Sequence, residues 1–110
     1  MLTRMTPLGE FELLVLLAVV RLKGEAYAVS VRDEIQTRTG RPAPRGSVYI
    51  TLDRLTRKGY LRERSEPGHA ERGGRAKRVF SATTAGSAAA QAALVGLKRM
   101  QRGLVWRTQD

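Results

Sequence analysis

The chain has 110 residues, 42% of them apolar, which is the length and composition of one domain with a modest core. Twenty Lys and Arg against ten Asp and Glu give a formal net charge of +10, pointing to phosphates: nucleic acid first, anionic lipid second. With no cysteine and one histidine, His69, the chain can build no disulfide framework, thiolate or two-histidine metal site, cysteine nucleophile or histidine relay.

Thr6-Pro7 has the form of an N-cap followed by proline at the first helical position, and Glu10 and Glu12 then lie near the positive end of the helix dipole. The longest apolar run, Leu13 to Val20, falls short of the roughly 18 residues of a membrane span. Acids precede it and Arg21, Leu22 and Lys23 follow it, the reverse of a secretory signal, so a cytosolic protein is expected. The run is apolar on nearly every side, which predicts a helix buried on more than one face, with a partner subunit as one source of the second cover. Gly24 ends it.

Tyr27, Val31 and Ile35 recur at four-residue spacing and predict a second helix over about 27–38, with Gly40 at its C-terminal end. Residues 41–45, with Pro42 and Pro44, read as a turn or short extended link. A third helix is predicted over 47–58. Val48, Leu52 and Leu55 share one side, while Arg57, Ile50, Arg54, Ser47 and Lys58 fan around the opposite and one flanking side. Gly59 stops it. Residues 60–64 and 77–81 read as strands around a basic loop containing Pro67, Gly68, Gly73 and Gly74. Alternation puts Lys77 and Val79 on one face of the second strand and Arg78 and Phe80 on the other. Thr83 or Thr84 can cap a last helix over about 85–104. Leu94, Leu97 and Leu104 form one stripe on it, and Ala89, Ala93, Gly96 and Met100 an adjacent one whose small residues allow close helix approach.

The charge is uneven. Residues 1–40 sum to zero, residues 41–78 carry eleven bases against four acids, and residues 79–110 carry four against one, so the middle third is the candidate anion-binding surface. Three helices followed by a basic hairpin is the order of a winged helix-turn-helix, whose third helix turns one apolar face to the domain and one polar, basic face to the major groove. The fold expected is therefore mainly α with a small β-hairpin. Residues 1–83 would form a winged helix-turn-helix DNA-binding domain, and residues 84–110 a C-terminal dimerisation helix and tail. The candidate DNA contacts are Arg45, Ser47, Tyr49, Ile50, Arg54, Arg57 and Lys58 around the third helix, and Arg72, Arg75, Lys77 and Arg78 around the hairpin. The alternative for each charge is a solvated surface. A first helix apolar all round and a last helix with two stripes exceed what one small domain can cover. A homodimer is expected, packed through Phe11, Leu14, Leu17, Ala89, Ala93, Leu94, Leu97, Met100 and Leu104.

Gly46-Ser47-Val48-Tyr49, Leu52, Arg54-Leu55 and Gly59-Tyr60-Leu61 resemble the recognition-helix signature of PadR-family transcriptional regulators. Gly74 to Phe80 and Thr83-Thr84-Ala85-Gly86 resemble that family's second wing strand and the start of its C-terminal helix. Leu8 to Leu17 is similar to its first helix, and Tyr27 matches the tyrosine opening its second. The resemblance covers residues 6 to about 87. It departs at Ala26, where many members have Gly, at Phe80 for a common Tyr, and at Thr56 for a common acid; none of these touches the basic face. Many members carry a multi-helix C-terminal domain, whereas this chain has room for one helix, like the short branch whose dimer is built from the first and last helices. The resemblance also implies that Tyr49 hydrogen-bonds the DNA backbone; its helical position alone leaves packing at the domain edge open.

The function expected is a sequence-specific dimeric regulator, a repressor on a palindromic operator of double-stranded DNA. The alternative is a small basic RNA- or ribosome-associated binding module, and a peripheral membrane role ranks third, since the one long candidate helix is Ala-rich. No enzyme and no cofactor are expected: the carboxylates are scattered, and Gly73-Gly74 lacks the strand–helix context of a phosphate-cradling loop. In some short PadR-like proteins a tryptophan of the last helix lines a pore at the dimer interface and stacks on flat ligands. For Trp106 this small-molecule effector role stands beside plain packing in the dimer or tail.

Overall fold

Helix α1 (Glu10–Leu22) starts later than Thr6-Pro7 suggests, because a local cap forms further along. The Glu12 carboxylate accepts a 2.8 Å hydrogen bond from the Gly9 N–H, satisfying one of the free donors at the helix start. The computed structural model describes residues 7–67 and 76–107, so Thr6 and the loop residues 68–75 lie outside it. Helix α2 (Ala28–Thr39) begins where the Tyr27 N–H donates to Ser30 Oγ at 2.9 Å. It ends at Gly40, whose φ of 71° is the left-handed conformation that glycine adopts without a Cβ clash. Helix α3 (Arg45–Arg57) follows Pro44 directly, slightly ahead of the predicted start. The fixed φ of proline, here −57°, and the hydrogen bond from the Val48 N–H to the Pro44 carbonyl set that first turn.

Strands β1 (Leu61–Glu66) and β2 (Lys77–Ala82) pair antiparallel, with Leu61 opposite Ala82 and Glu66 opposite Lys77. The Phe80 N–H also donates to the Ala26 carbonyl at 2.8 Å, which stitches the α1–α2 link to the far edge of β2. Helix α4 (Thr84–Gln101) is capped by Thr83, whose Oγ1 accepts from the Gly86 N–H and donates to the Gly59 carbonyl. It is shorter than predicted. Arg102 is extended and Gly103 takes a φ of 82°, so Leu104 lies beyond the helix rather than on its stripe.

Helix α1 packs against α2, α3, α4 and β2, which explains its all-round apolar character largely from within one chain. Val15, Leu16 and Val19 are fully buried with Val31, Val48, Leu52, Leu55 and Phe80. Phe11, Leu14 and Leu17 are half-buried at the rim of this core. Helix α4 lies on α1 and β2 through Gly86, Ala89 and Ala90, and past Ala93 its bulky residues are exposed. Two of the expected interface positions therefore differ: Ala89 is 3% exposed inside its own protomer, and Leu104 has left the helix.

Candidate nucleic-acid interface

The buried side of α3 is Val48, Thr51, Leu52 and Leu55. At 100° per residue the opposite side is centred on Gly46, Ile50 and Arg57. Tyr49 and Asp53 lie toward the hairpin, and Ser47 and Arg54 toward the proline-bearing link. Arg45, Ser47, Tyr49, Ile50, Arg54 and Arg57 are all exposed. Among the described residues no ion pair engages Arg45, Arg54 or Arg57, so these guanidinium forks are open to phosphate or to guanine edges. Ile50 is 57% exposed on the same surface, a placement that costs free energy in water and suits an aliphatic contact such as a thymine methyl.

Two of the other cations expected on this surface are held elsewhere. Lys58 turns inward, its Nζ 2.8 Å from Glu12 Oε2 and 3.4 Å from the Pro7 carbonyl. The side chains of the pair are 17% and 9% exposed. It bolts the end of α3 to the start of α1. Arg78 donates from Nε and Nη2 to Glu63 at 2.6 and 2.9 Å and from Nη2 to Asp53 at 2.6 Å, while its guanidinium lies over the Phe80 ring. Both carboxylates raise the already high Arg78 pKa, and the Arg78 hydrogen bond holds the Glu63 carboxyl below its ordinary range. Lys77 is exposed and sits 4.8 Å from the centre of the Tyr27 ring. Tyr27, Tyr49 and Lys77 thus frame a cleft between α2, α3 and β2. A second open cleft, of about 630 Å³, runs between the start of α1, the Arg41–Pro44 link and the Ser47, Ile50, Arg54 flank of α3. Arg41 is paired with Glu10 on its rim at 3.0 Å. Arg72 and Arg75 lie outside the described residues.

The sequence reading missed Asp53, Glu63 and the inward turn of Lys58. Only Glu63 had a signal: once the hairpin register places Ser65 opposite Arg78, Glu63 is the diagonal neighbour on the same face. Asp53 and Glu12 meet their partners across elements distant in the chain.

The Lys58–Glu12 pair has a consequence for acid stability. Burial pushes the Glu12 carboxyl up, but the Lys58 hydrogen bond, the Gly9 N–H and the charges of Lys58 and Arg54 together outweigh it and hold its pKa below the ordinary value. A carboxylate depressed in the folded state stabilises above its unfolded pKa, about 4.3, and loses that contribution as pH falls through the folded value. Replacing Lys58 with Met leaves a buried carboxylate without its partner. The variant is expected to lose about 1–3 kcal/mol at neutral pH and to show a weaker loss of stability below pH 4 than wild type. Urea unfolding across pH reads both; parallel wild-type and variant profiles would contradict the pairing.

Of the positions expected to pair two copies, Leu94, Leu97 and Met100 are exposed along α4, at 38%, 58% and 78%. Trp106 is 79% exposed and stands past the end of α4, not within the last helix. Among the described residues no group of His, Asp or Glu has the arrangement of a metal site, and no helix is long and apolar enough to cross a membrane.

The model of the transcriptional regulator PadR-like family matches residues 16–92, more than half of the chain. No curated protein matches in sequence. Solved structures do match in fold. A PadR family transcription regulator from hypervirulent Clostridium difficile R20291 superposes with a TM-score of 0.72 at 15% identity, covering 86% of this chain and 93% of that one. F93 from STIV, a winged-helix DNA-binding protein, gives 0.71 at 19% identity, covering 91% and 100%. Bacillus subtilis PadR, solved in complex with operator DNA, gives 0.68 at 17% identity, covering 91% of this chain and 53% of that one. These likenesses give the fold, a winged helix; the family match gives the lineage, one of regulators and not of enzymes. The chain belongs to the PadR-like family of transcriptional regulators.

Proposed function

We propose that this protein is a dimeric, sequence-specific regulator of the cytoplasm that binds a palindromic operator in double-stranded DNA through α3 and the hairpin and represses by occupying it. The observation that carries the reading is the division among the bases. Lys58 and Arg78 are consumed by internal carboxylates, whereas Arg54 and Arg57, on the side of α3 away from the core, and Arg45, at its first turn, stand exposed without such partners. A helix bearing free guanidinium forks beside an exposed Ile50 suits a major groove, where forks read guanine and aliphatic groups read thymine. Lys77 supplies a phosphate contact from the wing, and the exposed α4 stripe pairs two such surfaces across a two-fold axis, which a palindrome mirrors. Repression needs only that the bound dimer exclude polymerase from the site.

Selection of bound DNA from a random pool, followed by footprinting, tests this. A two-fold symmetric site supports the reading. No enriched DNA, with binding to structured RNA instead, would turn it toward the RNA-associated alternative. On the selected site, Arg54→Ala and Arg57→Ala are each expected to cost about 1–3 kcal/mol of binding while melting like wild type, since neither side chain is in the core. Wild-type affinity in both variants would remove α3 from the groove.

A further inference from the structure

Asp53 is a carboxylate on the outer half of α3, between Tyr49 and Arg57 on the helical wheel. Glu63 adds a second on the adjacent strand β1. Two acids at the edge of a DNA-binding surface repel the duplex. Both converge on one residue: Arg78 of β2 binds Glu63 with its Nε and Nη2 and Asp53 with its Nη2, at 2.6 to 2.9 Å. Its guanidinium face is packed over the Phe80 ring, 5.2 Å from the centroid, and the Phe80 ring is itself fully buried. Three of its five N–H donors and one face are thus committed, which leaves only the Nη1 donors for a phosphate. Arg78 also ties β2 directly to α3: β1 is laddered to β2 and linked to α3 by residues 58–60, where the Tyr60 N–H donates to the Leu55 carbonyl, but no backbone hydrogen bond joins β2 to α3 among the described residues.

We propose that Arg78 is a positioning residue of the DNA-binding surface: it holds the wing against α3 and offsets part of the charge of Asp53 and Glu63, and it does not itself contact DNA. The inference rests on the reading of α3 and the hairpin as the DNA-binding surface. It deepens that reading by removing one cation from the contact set and giving it a different task. The physical basis is the asymmetry of ionic clusters. Beside a polyanion, deleting the cation leaves two carboxylates to repel it, whereas making all three side chains neutral leaves none. A direct phosphate contact has no such asymmetry, because removing its carboxylate neighbours does nothing to restore it.

The experiment is a salt titration of DNA binding, on the operator obtained by selection, with wild type, Arg78→Met and the triple variant Asp53→Asn/Glu63→Gln/Arg78→Met. Arg78→Met is expected to weaken binding about tenfold or more by exposing two unpaired carboxylates beside the duplex. The triple variant is expected to return to within about threefold of wild type with the same slope of log K against log salt. If Arg78 is a phosphate ligand, the triple variant stays as weak as Arg78→Met and the slope falls by about 0.9 for each of the two wings of a dimer. That result overturns the proposal. Should Arg78→Met fail to fold, Arg78→Lys decides. A lysine keeps the charge that a phosphate needs but cannot span two carboxylates as a planar fork, so positioning predicts a several-fold loss and phosphate contact predicts near-wild-type binding. Failure of the underlying reading looks different: wild type itself then enriches no DNA.

Discussion

Gly86→Ala is expected to lose about 3 kcal/mol or more of stability, among the largest effects of any single methyl group in this chain. Gly86 lies in the first turn of α4 and is buried against the turn at Tyr60. A Cβ there would sit 2.1 Å from the Tyr60 carbonyl oxygen and 2.9 Å from its carbon. Those are backbone atoms, and the Tyr60 carbonyl also accepts from the Thr83 N–H, so it cannot swing away without breaking the connection into α4. The helix would have to lift off β2 and α1. At about 4–8 °C per kcal/mol for a domain of this size, the midpoint of thermal unfolding falls by about 12 °C or more. Gly46→Ala is the matching control. Its Cβ meets nothing within 4 Å, and alanine in a helix is favoured over glycine by about 0.5–1 kcal/mol, so that variant is expected to melt slightly higher. A Gly86→Ala protein melting within a few degrees of wild type would show that α4 does not pack on Tyr60 as described.

Leu97→Asp is expected to abolish dimerisation at micromolar concentration while leaving each protomer folded. Leu97 is 58% exposed and lies between Leu94 and Met100 on a stretch of α4 that its own chain leaves uncovered. Within one protomer an aspartate there meets water. In the proposed dimer it would be an unpaired charge inside an apolar contact, which costs several kcal/mol, and about 4 kcal/mol weakens the dissociation constant roughly a thousandfold. DNA binding falls with it, because a single α3 reads only half of a two-fold site. Sedimentation of wild type and variant gives the masses directly. A monomeric wild type, or a variant that stays dimeric, would place the interface elsewhere.

Much of the fold was legible locally. Gly40 announced the end of α2, and the Val48, Leu52, Leu55 stripe predicted which side of α3 is buried; both follow from backbone sterics and the 3.6-residue period, which act over a few residues. The +7 segment likewise placed the candidate surface, because charge is a property of composition. The start of α1 was read too early because two caps were available, and the sequence does not say that Glu12 reaches back to Gly9. The roles of individual cations belonged to the tertiary structure alone. On a helical wheel Lys58 lies about 100° from Arg57 and nearest of the three to the buried side, but its pairing with Glu12 follows only from α3 ending against the start of α1. Arg78 looked like its neighbour Lys77 until β2 brought it beside Asp53 and Glu63, while Lys77 turned to Tyr27. Composition and period determine that a basic face exists and which helix bears it. Which of its charges remain free is decided by the carboxylates that packing places within about 3 Å, because an ion pair forms or fails on that distance.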